Sequence, residues 1–245
     1  MMEALSSWVL PLVTGLLVSL FTVLLFMQWR ARRKVHQMWW TIGFGMYAAA
    51  AFLEFAMMVS DGWSPLTFRF YALVSAALVP VLAMGSMALV SRKPLTSRIY
   101  LVYNAICFAA FALGVFTTEL VVAELANPKL SSYAALGGTA FTYPRVMSML
   151  LTIPATFVLL GSAVLSIIRF LRKREFAYRV WANVLIAAAT LVIASAGGMA
   201  KAGNTTMFFV AEMVAAILYF AGFLLAGTLK KGADEIQAGR AAPPA

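Results

Sequence analysis

One histidine and one cysteine leave this chain short of the side chains that most metal and catalytic centres require. His36 stands in a basic connection beside Arg33 and Lys34, so paired-histidine haem ligation is excluded. Zinc clusters fail for the same reason, because Cys107 lies alone in an apolar run. Aspartate occurs only at Asp61 and Asp234, which fall on opposite sides of the predicted membrane, so no intramembrane aspartyl dyad is available. A serine or cysteine nucleophile would lack a histidine base within the bilayer. No phosphate-binding glycine loop occupies the cytoplasmic connections. No enzyme, no metal site and no cofactor are expected.

Charge is scarce as well. Charged residues make up 11% of the chain against 63% hydrophobic, with a mean hydropathy of +0.89, which describes a polytopic membrane protein. In lipid every backbone polar group must be satisfied within helices or a closed barrel, and the apolar runs here are long and continuous, so helices are expected. The net charge of +10 follows the ends of hydrophobic segments and does not form a nucleic-acid surface. The bilayer is the expected partner, and nucleic acid is not.

Seven spans are expected: Trp8–Gln28, Met38–Val59, Phe68–Val90, Arg98–Thr117, Val146–Phe170, Val180–Ala200 and Thr205–Leu229. The first carries Glu3 where a secretory leader would be basic, and no small-residue cleavage site follows it, so it is expected to be retained. Alternate connections are basic, notably Arg30 to Lys34, Arg92-Lys93, Arg172 to Arg174 and Lys230-Lys231. The positive-inside rule then predicts an outer amino terminus and a cytoplasmic carboxyl terminus in the inner or plasma membrane. Trp8 and Trp63 would mark the outer boundary, and Trp29, Trp39, Trp40 and Trp181 the inner one. Residues 1–231 would form one membrane domain with an outer connection at 118–145, followed by a disordered cytoplasmic tail at 232–245. Asn127-Pro128, Ser131-Ser132 and Gly137-Gly138 divide that connection, which could be a passive link or a lid.

Helices one to three and five to seven share an order of features, with Trp40 opposite Trp181 and Gly62 opposite Gly203. Helix four would be a spacer between two parallel triplets, a three-plus-one-plus-three plan. Any seven-helix chain obeying the positive-inside rule shares much of this order. The layout resembles that of the SWEET sugar transporters, without their paired proline-glutamine signature. The outside-in order also resembles microbial rhodopsins, but Lys201 lies at the turn before helix seven, which has no interior lysine for retinal.

Two acids stand inside spans, Glu54 in helix two and Glu212 in helix seven. A charged side chain at a helix centre costs roughly 2.5–3.5 kcal/mol on insertion scales, so both are expected to turn inward. Each has a tyrosine seven residues deeper, Tyr47 and Tyr219, about 10 Å along its axis. These ladders predict a polar, outward-facing cavity between helices two, three and seven, in a small transporter for an ion or small molecule. The alternative is a non-catalytic receptor or subunit that binds a ligand or another membrane protein. Ion pairs would explain the acids without any ligand: Arg69 lies level with Glu54 across the Asp61-Gly62 turn, and Arg145 and Lys201 lie near Glu212. Tyr103 and Asn104 are expected to join helices, and Pro11, Pro80 and Pro154 to interrupt their helical bonding.

Overall fold

The computed structural model describes residues 2–91, 94–126, 135–137, 142–172, 177–201 and 204–241, without the side chains of 2–7, 177–179, 198, 200, 201 and 226–241. Its helices are α1 (Met2–Arg32), α2 (Val35–Val59), α3 (Pro65–Val90), α4 (Pro94–Thr117), the short α5 (Val122–Leu125), α6 (Tyr143–Arg172), α7 (Ala177–Lys201) and α8 (Thr205–Ala241). Seven of them are long and apolar enough to cross a membrane, which makes this a multi-pass membrane protein built of helices. No strand occurs among the described residues.

Helix starts follow local chemistry. Ser64 caps α3 by accepting the Thr67 amide at 3.2 Å, with Pro65 in the first turn, where a missing amide costs nothing. Asn204 caps α8 in the same way, its side-chain oxygen accepting from the Met207 amide at 3.1 Å. The α2–α3 turn needs left-handed backbone at Asp61 (φ 53°) and Gly62 (φ 150°). The last helix passes the expected end at Lys231 and continues through the described part of the tail to Ala241. The Asn127-Pro128 break and the Ser131-Ser132 turn lie outside the described residues.

Six spans close a ring: α1 packs on α2, α2 on α3, α3 on α6, α6 on α7, α7 on α8, and α8 on α1. The remaining span, α4, lies outside this ring against α3 and α6. At the α7–α8 contact a Cβ on Gly222 would stand 2.9 Å from the Ala182 carbonyl, so the absent side chain sets how closely these helices pack. Among the described residues no close backbone packing joins α2 to α8; the Tyr47 side chain reaches across between them. Toward the end opposite the α2–α3 turn the ring is filled by aromatics, with Phe21 against Phe44 at 4.4 Å and Phe223 at 4.9 Å.

The described parts of the 118–145 connection fold onto the α2–α3 end. The Trp63 amide donates to the Leu125 carbonyl at 2.8 Å, and the Val121 amide to that of Ala135 at 3.0 Å. Leu125, Ala135 and Leu136 are buried with Trp63, Phe68 and Phe208. This stretch therefore covers the ring's end.

Proline positions agree with the expectation, within α1, α3 and α6. Pro154 has no amide to bond the Leu150 carbonyl one turn earlier. The Tyr103 hydroxyl, from α4, donates to that carbonyl at 2.6 Å and so fixes α4 to α6.

Candidate functional site

Glu54 and Glu212 both lie in the half of the bundle nearest the α2–α3 turn, 1% and 6% exposed. Two helices that do not pack on each other thus direct acids into the same interior. Their carboxyl groups lie close enough to interact, with the Tyr71 phenol near Glu54 from α3. Both oxygens of Glu54 and one of Glu212 are buried with no hydrogen-bond partner among the described residues.

Arg69 does not form the pair expected with Glu54. It caps the end of α4, donating through one guanidinium nitrogen to the Val115 carbonyl and through the other to Thr118 at 3.1 Å. The Phe116 ring lies 5.7 Å from the guanidinium carbon. The unsatisfied carbonyls of a helix C-terminus are a competing acceptor. Arg145 stands half-buried in the first turn of α6. Lys201 ends α7, and its side chain lies outside the described residues.

The tyrosines of the two expected ladders brace helices. The Tyr47 hydroxyl crosses the ring to donate to the Glu212 backbone carbonyl at 2.7 Å. The Tyr219 hydroxyl meets Thr190 at 3.0 Å. Thr190 already donates to the Ile186 carbonyl at 2.8 Å, so Tyr219 supplies the proton of the second bond.

A cavity of about 450 Å³ lies between α3, α6, α7 and α8, with Ala50 of α2 and Phe111 of α4 on its wall. Such a volume suits a small organic ligand. Glu212 lies on this wall, while Glu54, Tyr47 and Tyr219 do not. The cavity is displaced toward α6 and α7 from the helix two, three and seven location expected from the sequence. Leu136 of the connection also lines it.

Residues not singled out in the sequence supply most of its polar lining: Tyr71, Ser75, Ser148, Thr152 and Thr156. Their signal was present. Ser148, Thr152 and Thr156 repeat every four residues on one face of an apolar helix, as do Tyr71 and Ser75. On the α6 and α7 side the wall includes Ile153 (52% exposed) and Phe157 (71% exposed), with exposed Ala194 and Gly197 opposite. A Cβ built on Gly197 meets no atom within 4 Å. The cavity therefore extends from buried α3 and α4 side chains to the outer, apolar surface of the bundle between α6 and α7.

No family model matches the chain, and neither a curated protein nor a solved structure matches it. Among the described residues no cluster of histidine, cysteine, aspartate and glutamate could hold a metal ion.

Proposed function

We propose that this chain is a membrane binding protein that takes a small amphiphilic ligand from the lipid phase into the cavity beside Glu212. The carrying observation is that one cavity joins buried polar groups to exposed residues of two apolar helices, Phe157 in the middle of α6 and Gly197 at the end of the α7 span. The covered α2–α3 end supports the same entry path.

The arrangement of basic connections supports an outer α2–α3 end and a cytoplasmic carboxyl terminus in an inner or plasma membrane. The position of α4 outside a ring of α1–α3 and α6–α8 supports a three-plus-one-plus-three plan. Carrier and receptor share this binding step. The carrier reading is favoured by Pro80 and Pro154, which interrupt two of the four helices around the cavity.

An apolar diazirine dissolved in the lipid tests the entry path. After photolysis, label should appear on Ala76 and Phe111, buried residues on the inner wall, and Gly197→Leu should reduce it by narrowing the opening. Label confined to the outer faces of the helices would reject lipid-side entry. Flux of the bound ligand in proteoliposomes separates carrier from receptor.

A further inference from the structure

Three of the five hydroxyl groups on the cavity wall have their protons engaged elsewhere. Thr152 donates to the Ser148 carbonyl and Thr156 to that of Thr152, each at 2.9 Å. Ser75 donates to the Ala72 carbonyl at 3.3 Å. Each of these three hydroxyls has one proton, so what they offer a ligand is oxygen lone pairs. Glu212 adds a carboxyl group, 6% exposed, whose Oε2 has no hydrogen-bond partner among the described residues. The cavity is therefore rich in acceptors.

Around them lie Leu78, Val79, Phe111 and Ile193, which suit an aliphatic or aromatic body. Phe111 and Phe208 add aromatic rings, whose faces attract a cation. A neutral ligand without donors would leave the acceptors unmatched, and an anion would oppose the carboxyl group. We propose that the ligand is a hydrophobic amine bound as its ammonium ion, with Glu212 as counter-ion and the Thr152 and Thr156 hydroxyls accepting its remaining protons. This deepens the lipid-side binding reading and rests on it.

Three probes with one chain and different heads test the class: decylammonium, decanol and decanoate. Binding is measured to the full-length protein in zwitterionic nanodiscs, with partition into empty nanodiscs subtracted. Decylammonium should bind at least about tenfold more tightly than the other two, the scale of one well-placed charge-assisted bond. Glu212→Gln should remove that preference while decanol binding stays. Because an interior acid can also affect folding, Thr152→Val with Thr156→Val provides a second reading, in which decylammonium should lose several-fold and decanol little. Equal binding of all three probes would overturn the amine assignment and leave the lipid-side cavity standing. No binding above the lipid background would overturn both. A preference for decylammonium unchanged in Glu212→Gln and in the threonine variant would overturn the assignment of these residues.

Discussion

The Tyr103 hydroxyl meets the Leu150 carbonyl at 2.6 Å, and Leu150 is the residue whose helical partner is Pro154. A proline deprives one carbonyl of its amide, and in lipid no water replaces it. Tyr103→Phe should lower stability by roughly 0.6–1.7 kcal/mol, the range for interhelical bonds in membranes. In a Pro154→Ala background the carbonyl regains an amide, and the same change should cost less. Thermal midpoints of the four proteins in one detergent give this coupling directly. Equal costs in both backgrounds would separate the tyrosine from the proline.

The facing carboxyl groups make an unusual prediction for substitution. Replacing one partner of a buried cation–carboxylate pair typically costs about 3–5 kcal/mol. Glu54 faces an acid, and glutamine brings an N–H that can donate where two carboxylates could not. Glu54→Gln should therefore fall within about 1 kcal/mol of the parent or stabilise it. A loss in the buried-pair range would mean that Glu54 is held by a cation.

Arg69 should act independently of Glu54. Its guanidinium satisfies two carbonyls at the end of α4, so Arg69→Met should cost about 1–3 kcal/mol from the stranded acceptors. If the residues do not interact, combining Arg69→Met with Glu54→Gln should add their effects to within about 0.5 kcal/mol. Chemical unfolding of the single and double variants measures the sum. Strong coupling would restore the direct pair expected from the sequence.

The spans were legible because lipid imposes the same requirement on every stretch, and long apolar runs between basic blocks satisfy it in one way. Prolines were legible too, since Pro154 acts within a turn of where it stands. The positions of Glu54 and Glu212 within the interior followed from the cost of charge in lipid. Their partners did not. Arg69 had a choice between an acid across the turn and the carbonyls of α4, and only tertiary packing decides it. The acids meet because α2 and α8 face each other across a ring, an arrangement that no local spacing encodes. The cavity lies toward α6 and α7 because most of its polar lining is hydroxyl, not the carboxylates and deeper phenols of α2 and α8. The hydroxyl stripe of Ser148, Thr152 and Thr156 carried the more direct signal, but serine and threonine are common in packed membrane helices.

The cover at the α2–α3 end should depend on a missing side chain. Gly62 has φ 150°, a backbone region unfavourable for other residues, and a Cβ there would stand 2.9 Å from the Leu125 carbonyl. That carbonyl also receives the Trp63 amide, so displacing it breaks the bond that docks α5. Gly62→Ala should destabilise the protein by more than about 1 kcal/mol, since neither the backbone nor the contact can adapt without movement. Leu125→Ala attacks the same contact from the other side by removing a buried side chain, with a cost of about 2–5 kcal/mol if the cavity stays open. Both should raise hydrogen exchange in α5 and at Trp63 while the cores of α2 and α3 remain protected. Unchanged exchange at Trp63 in Gly62→Ala would show that the cover docks without this contact.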